Sequence, residues 1–178
     1  MILTRRSVLV GAGAGLLAAA TPRPAALAGS GQAVIEMRGN ADGSRVDFNP
    51  VGLHLQAGVT VRWENRDAGN AHTATAYHPD LMGRPRRIPA AAAPWDTDYL
   101  LPGEAFSVTL TEPGVYDFYC VPHEHAGMVG RIVVGTPPPV GWPDYANEPG
   151  AAEPLPQIAL DGFPAVAEII ALGSVVLR

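Results

Sequence analysis

Short runs in which apolar and polar residues alternate dominate the chain between residues 31 and 135. In VTVRWEN (59–65) apolar Val59, Val61 and Trp63 alternate with polar residues, and this period of two is typical of a half-buried β-strand. Glycine or Pro-Gly interrupts the runs, as in LQAGVT and TEPGVY, where the chain has to turn. The pattern predicts seven strands, at 33–38, 45–51, 59–65, 72–77, 105–111, 115–120 and 129–135.

The number and spacing of these strands predict the fold class. Seven short strands, without sustained helical periodicity between them, indicate an all-β domain with a Greek-key antiparallel β-sandwich. One long connection, 78–104, interrupts the series. Loops of this length in compact domains are usually functional or are fixed by their own side chains. The apolar residues available to fix this one are Trp95, Tyr99, Leu100 and Leu101.

The C-terminal residues 136–178 have a different composition. The stretch 136–156 is rich in proline and predicts an extended linker or a strap that lies on the sandwich. One short helix is predicted after it, with Pro164 in the first turn and Gly173 just past the end. Its apolar stripe would consist of Val166, Ile169 and Ile170. We expect this tail to pack on its own domain, and a docking element for a partner is the alternative.

The first 28 residues have the features of an export signal. Arg5 and Arg6 precede an apolar run, 8–20, and the small residues of 26–28 suit a cleavage site. The run is too short and too weakly apolar for a good membrane span. The paired arginines resemble a twin-arginine signal, and an ordinary secretory signal is the alternative. We therefore predict an export signal (1–28), a β domain (29–135) and a Pro-rich strap with a short apolar helical tail (136–178).

The charge of the chain restricts its partners. The chain carries 12 basic and 17 acidic residues, a formal net charge of −5. The signal contains three of the basic residues and no acid, so the chain without it carries nine basic against 17 acidic residues, a net charge of −8. Such a surface repels nucleic acids and anionic lipids. We expect no nucleic-acid partner, and membrane contact only through partners or an uncleaved signal.

The segment YCVPHEHAGM (119–128) concentrates side chains that bind soft metals. Cys120, the only cysteine, ends a predicted strand, and His123 and Met128 follow within eight residues. Thiolate, imidazole and thioether donors favour copper or zinc over magnesium or calcium. Two imidazoles and a thiolate with a distant thioether describe a blue-copper electron-transfer centre. The segment would therefore need a further imidazole from elsewhere in the chain.

His72 is the best candidate for that imidazole. It begins the predicted strand 72–77, and a residue at the mouth of a sandwich can face a loop at the same end. His54 lies inside an apolar run, His78 precedes a proline in the long connection, and His125 lies within the metal-binding segment itself. We expect these three histidines to be surface or hydrogen-bonded residues.

Other interpretations of the same residues are open. Cys120 could be a buried structural thiol, or a nucleophile paired with a histidine in an enzyme. Neither interpretation gives Met128 a role. Zinc at the same ligands would leave the thioether unexplained, and His125 could replace His123 as a ligand.

The segments 63–73 and 111–134 resemble the cupredoxins, which are type 1 blue copper proteins, and in particular the plastocyanin, pseudoazurin and halocyanin group. The match covers roughly residues 33–135, and its most specific motif is Tyr-Cys-x-x-His followed, after four residues, by Met-x-Gly. The resemblance implies one type 1 copper ion as the cofactor. Carried over by position, its ligands are His72, Cys120, His123 and Met128.

Two positions stand out against the family pattern. His125 falls where the family does not use a metal ligand. Thr73 follows the first ligand, where many cupredoxins have an asparagine whose hydrogen bonds tie the two ligand loops together. A hydroxyl can bond a backbone group in the same place, and such neighbours of the ligands tune a metal site.

The resemblance also implies a function. We expect an exported protein, periplasmic or extracellular at the cell surface, that carries single electrons by Cu(II)/Cu(I) cycling. It would be a monomer and not an enzyme, with transient redox partners docking near His123. Multicopper oxidases and nitrite reductases contain similar domains but need more histidines than the five present here. A copper-binding module for storage, delivery or sensing, without an electron-transfer circuit, is the alternative.

Arg84, Arg86 and Arg87 form a cluster in the long connection. We expect these arginines to lie in a solvated loop without a role in binding. The alternative is an exposed basic patch that would steer an acidic partner.

Overall fold

The computed structural model describes residues 31–40, 42, 44–138, 141–142 and 154–177. The predicted export signal lies outside the described residues and stays a prediction, as does most of the Pro-rich strap. None of the helices within these ranges is both long and apolar enough to cross a membrane.

The described residues form nine strands, two short α-helices and one 3-10 helix. The elements are β1 (Gln32–Gly39), β2 (Val46–Asn49), β3 (Gly52–Leu55), β4 (Val59–Asn65), β5 (Thr75–Ala76), β6 (Ala105–Leu110), β7 (Gly114–Tyr119), the 3-10 helix (Val121–Ala126), β8 (Val129–Val134), α1 (Gln157–Gly162), α2 (Val166–Leu172) and β9 (Ser174–Val175).

The strands form two sheets, in the orders β2-β1-β4-β6 and β5-β7-β8-β3-β9. Most neighbours are antiparallel, but β1 pairs with β4 and β3 with β8 in parallel. These parallel pairs join strands that are not consecutive in the chain, as Greek-key connections allow. The predicted all-β sandwich is therefore confirmed.

The core lies between the two sheets. In β4 the predicted alternation is realised, because Val61 and Trp63 are fully buried. The Trp63 ring stacks on Trp95 with a centroid distance of 5.4 Å and meets the edge of Phe118 at 5.5 Å. Aromatic pairs of this kind add stability beyond the area that they bury. They also fix the long connection, which carries Trp95, to the body of the sandwich.

The segment 72–77 is not the regular strand that the sequence predicts. Only Thr75 and Ala76 belong to a strand, β5, which pairs with β7. The rest is held by the long connection, because His72 and Leu100 exchange both backbone hydrogen bonds, at 3.1 and 2.8 Å. The hydroxyl of Thr97 accepts the N–H of Ala74 at 2.9 Å. The connection therefore takes the place of a neighbouring strand.

Apolar residues of the long connection divide into two groups. Trp95 and Leu100 are buried, as expected for side chains that fix the loop. Tyr99 and Leu101 were expected to do the same, but they are 53% and 57% exposed. Residues 99 and 101 flank Leu100, and successive side chains of an extended segment point to opposite sides. The segment therefore buries one face and exposes the other.

The C-terminal tail packs on the sandwich. The predicted helix is α2, which ends at Leu172 with Gly173 just past the end, as expected, and buries Ile169 fully. Pro164, expected in the first turn, instead lies before the N-cap residue Ala165. A second helix, α1, precedes it and was not predicted. After α2 the chain adds β9 to the edge of β3. The aromatic ring of Phe163, between the helices, lies 5.0 Å from the guanidinium carbons of both Arg87 and Arg131.

Candidate metal centre

The metal-binding segment joins β7 to β8 by a compact turn. Cys120 lies between β7 and the 3-10 helix, and its carbonyl accepts the N–H of His123 at 3.0 Å. Its N–H donates to the carbonyl of Met128 at 3.0 Å, which closes the turn. Gly127 ends the 3-10 helix with φ +81°, a left-handed conformation that favours glycine. The segment is thus held by its own backbone.

Three donor atoms meet at this end of the sandwich. The thiol sulfur of Cys120 lies 3.6 Å from Nδ1 of His72 and 3.4 Å from Nδ1 of His123. The two Nδ1 atoms are 3.1 Å apart. All three atoms lie within 4.8 Å of one another, although residues 72 and 123 come from different loops. The structure therefore brings His72 to the segment, as the sequence predicts.

The donor set fits copper. One thiolate and two imidazoles are soft or intermediate ligands, and three convergent donors of this type match a blue-copper centre. Cys120 and His72 are completely buried, whereas His123 is partly exposed. The site is therefore closed on the protein side and open at one imidazole.

Thr73 connects the two ligand loops. Its N–H donates to the sulfur of Cys120 at 3.3 Å, and its hydroxyl accepts the N–H of Val121 at 2.8 Å. The hydroxyl also lies 3.0 Å from the Thr75 hydroxyl. A threonine thus makes the connection for which many family members use asparagine.

The environment of the site affects its titrating groups. Burial raises the pKa of the Cys120 thiol to about 11, although hydrogen bonds from Thr73 and His123 oppose the rise. Burial, and next the neighbouring His72, lower the pKa of His123 below its usual value. The His123 ring is therefore neutral at neutral pH, and its Nδ1 can bind a metal ion.

A buried carboxylate lies behind the site. Oδ2 of Asp67 is 2.9 Å from Nε2 of His72, the ring nitrogen that faces away from the sulfur. Burial alone would raise the pKa of Asp67, but hydrogen bonds from Asn70, Gly69 and His72 outweigh it and lower the pKa to about 2. The carboxylate is therefore ionised at neutral pH.

The structure places Met128 next to the donor cluster in the core, and the other three histidines outside that cluster. Met128 is fully buried, belongs to the same core cluster as Cys120, and donates its N–H to the carbonyl of His123 at 3.1 Å. Its thioether as fourth ligand stays a prediction. His125 is exposed and lies outside the donor cluster. His54 bonds the carbonyl of Gly135 at 2.8 Å, and His78 is buried and accepts the N–H of Asp80.

A buried ion pair next to the site could not be predicted from the sequence. Glu124, between the two histidines of the segment, is 4% exposed. It pairs with Arg84 of the long connection and accepts the hydroxyl of Tyr77 at 2.7 Å. An acid in a short polar turn normally indicates a solvated side chain, so only the fold reveals this contact.

The three arginines of the long connection do not form an exposed patch. Arg84 pairs with Glu124, and Arg87 is buried against the carboxylate of Asp117 at 2.7 Å. Only Arg86 retains partial exposure without an ion pair among the described residues. The expected solvated loop and the alternative of a basic steering patch are therefore both wrong, because two of the three charges are neutralised inside the protein.

The fold and the donor set together define the class of protein. A two-sheet β-sandwich with a Cys-x-x-His turn at one end, and a second histidine brought to it from another loop, is a cupredoxin. A comparison with protein families agrees, since the model of copper binding proteins of the plastocyanin/azurin family matches residues 35–135. The chain belongs to this family.

Curated relatives and solved structures are similar to the chain over most of its length. A chloroplastic plastocyanin of Silene latifolia subsp. alba is 36% identical over 120 residues, which are 67% of this chain and 71% of the relative. One of Fritillaria agrestis is 40% identical over 117 residues, 65% and 68% of the two chains. The pseudoazurin of Methylobacterium extorquens AM1, 21% identical with a TM-score of 0.51, covers 80% of this chain and 96% of its own, and supports the fold.

Proposed function

We propose that this chain is an exported type 1 copper protein that carries single electrons between redox partners. The observation that carries the proposal is the convergence of His72, Cys120 and His123 within 4.8 Å at one end of a rigid sandwich. The relatives named above are plastocyanins. Copper bound there would supply the one-electron couple between Cu(II) and Cu(I).

The protein's own residues would hold the ion and limit its movement. His72 and Cys120 are fixed by backbone pairs to Leu100 and Met128, and Thr73 ties their loops together. A site that does not rearrange when an electron arrives or leaves favours fast transfer, because the cost of reorganisation is small. We assign Met128 as the fourth, weak ligand, on its burial beside Cys120.

Electrons would enter and leave through His123, the one partly exposed ligand. Pro122 and Ala126, on the same turn, are exposed and apolar. Small contact patches of this kind suit partners that bind weakly and dissociate quickly. We therefore place transient docking of redox proteins at this surface, with the protein acting as a monomer and not as an enzyme.

The proposed location is outside the cytoplasm, in the periplasm or at the cell surface. It rests on the export features of residues 1–28. A lone cysteine is also vulnerable to oxidation in such compartments, and a bound metal would protect it.

The functional test is repeated oxidation and reduction of the copper-loaded chain in the presence of a Cu(I) chelator. An electron carrier keeps its copper and returns the same current through many cycles. A storage or delivery protein, the alternative role, would lose copper to the chelator in its reduced state. Loss of copper within the first cycles would contradict the carrier role.

Ligand assignments can be tested with four variants. His72→Ala and His123→Ala should lose the visible absorption of the thiolate–Cu(II) bond, because each removes a donor within 3.6 Å of the sulfur. His125→Ala is the matched control on the same turn and should retain it. Met128→Leu should retain the colour but shift the reduction potential, since the weak ligand tunes the couple.

A further inference from the structure

The hydrogen bond between Asp67 and His72 has no role in the function proposed so far. Both side chains are almost completely buried, with exposures of 4% and 0%. No arginine among the described residues forms an ion pair with this carboxylate. Burial of a carboxylate is costly unless its partners compensate it, so the groups that hold Asp67 beside a predicted ligand bear on its role.

Hydrogen bonds within its own loop hold the carboxylate of Asp67 in place. The amide of Asn70 donates to Oδ2 at 2.8 Å and the N–H of Gly69 donates to Oδ1 at 2.8 Å. The N–H of Asp67 donates to the side chain of Asn65 at 2.9 Å. That side chain in turn donates to the carbonyls of Asn70 and Leu100, both at 2.8 Å. The network thus reaches the segment that pairs with His72.

Strand β1 also leaves room for this carboxylate. A Cβ added to Gly39, the last residue of β1, would overlap Oδ2 of Asp67. The end of the strand therefore forms part of the cradle in which the carboxylate lies. Its position is fixed from two sides, by the loop and by the sheet.

The contact determines which nitrogen of His72 can face the metal. Both oxygens of Asp67 accept N–H groups, from Asn70 and Gly69, so the carboxylate is an acceptor and Nε2 of His72 is the donor in their contact. Nδ1 then has a free lone pair and points to the sulfur of Cys120, 3.6 Å away. A hydrogen bond from the second ring nitrogen to a carboxylate orients a ligand histidine and increases its basicity.

We propose that Asp67 is a positioning residue that holds His72 in its Nε2-protonated form and favours the oxidised state of the bound copper. The proposal rests on the proposed function. With copper bound, a redox partner would add one electron to the centre, with no bond formed and the proton kept on Nε2. A fixed negative charge one ring away in a buried site opposes that electron. Asp67 therefore lowers the reduction potential.

The test compares Asp67→Asn with Asp80→Asn. Both variants remove one negative charge beside a histidine, but Asp80 is exposed and lies next to His78, outside the donor cluster. We expect Asp67→Asn to raise the reduction potential well beyond any shift in the control. We also expect it to weaken Cu(II) binding by roughly 10- to 100-fold. Equal potentials in the two variants would overturn the proposal.

A measurement on the unaltered apoprotein covers the case in which Asp67→Asn does not fold. Nitrogen-15 NMR of the histidine rings should show His72 protonated at Nε2 and unprotonated at Nδ1 at pH 7. The opposite tautomer would overturn the proposal directly. If instead the unaltered protein shows this tautomer but forms no coloured copper centre, the proposed function fails and the positioning of His72 stands.

Discussion

The Cys120 thiol has to lose its proton when the site takes up a metal ion. Its pKa of about 11 lies far above neutral pH, so the metal-free protein holds a neutral thiol. A thiolate is required for metal binding, and affinity should therefore rise with pH up to that pKa. The same burial that disfavours the free thiolate favours its pairing with a metal cation.

Proton release tests this account of Cys120. We expect about one proton to leave per copper bound at pH 7.5, because the thiol is protonated beforehand whereas His123, with its lowered pKa, is already neutral. Titration of the apoprotein with Cu(II) in a weakly buffered solution with a pH indicator measures the number. Copper uptake without proton release would show that the thiol is ionised in the metal-free protein.

The sequence was sufficient to predict the three convergent donor residues, but it was insufficient to predict the side chains that surround them. Cys120 and His123 share one turn, so their spacing alone predicts that they lie together. His72 could be predicted from its place at the start of an apolar segment near the same end. The contact of Asp67 with His72 depends on the path of a loop and on the space at Gly39, and no local pattern specifies either.

Among the elements, the 3-10 helix and the long connection are joined by the ion pair of Glu124 and Arg84. Their side chains are 5% and 13% exposed. Burial, and next the nearby Glu124 carboxylate, raise the pKa of Tyr77 well above its usual value, so the Tyr77 hydroxyl stays a hydrogen-bond donor. The element that carries His123 is thus fastened to residues more than 35 positions earlier in the chain.

Removal of one partner of this pair should be more harmful than removal of both. We expect Arg84→Met to lower the free energy of unfolding by about 3 kcal/mol, because it leaves Glu124 buried without its cation. The double variant with Glu124→Gln should recover most of that loss. Denaturant unfolding of the two single variants and the double variant gives the coupling. Arg86→Met, at a half-exposed neighbour, is the control and should change stability by less than about 0.5 kcal/mol.

If the double variant is as unstable as Arg84→Met alone, the pair does not account for the attachment of the 3-10 helix. The aromatic contacts of Arg84 with Tyr77 and Tyr119, at 5.9 and 5.3 Å, would then be the main contribution.

Elements with regular alternation could be predicted from the sequence, and those held by other parts of the chain could not. Strand β4 appears at the predicted residues, 59–65. The segment 72–77 looks like a strand but pairs mainly with a loop, because Leu100 and Thr97 supply the hydrogen bonds. Helix α1 is only six residues long, and helices of that length form through packing and not through propensity.

The C-terminal tail, which carries α1, α2 and β9, packs against the sandwich and extends one of its sheets. Ile169 of α2 is fully buried, and Gly52 of β3 leaves the space that its side chain fills, since a Cβ there would lie 2.8 Å from Cγ1. Strand β9 continues the sheet at β3. The tail therefore packs directly on the β domain, and the two should unfold together.

Two alanine variants on α2 test this integration. Ile169→Ala should lower the free energy of unfolding by about 2 to 5 kcal/mol and increase cleavage of the tail by a protease, because it opens a cavity. Leu172→Ala, at a residue that is 64% exposed on the same helix, should change neither. Equal stability of the two variants would show that the tail is attached loosely and is not part of the cooperative unit.

The meeting of His72 with Cys120 and His123 around one copper ion can be tested spectroscopically. Visible and EPR spectra are recorded for the chain without residues 1–28 after addition of one equivalent of Cu(II). We expect an intensely coloured protein whose thiol can no longer be titrated. A colourless protein whose Cys120 thiol still reacts freely after copper loading would contradict it.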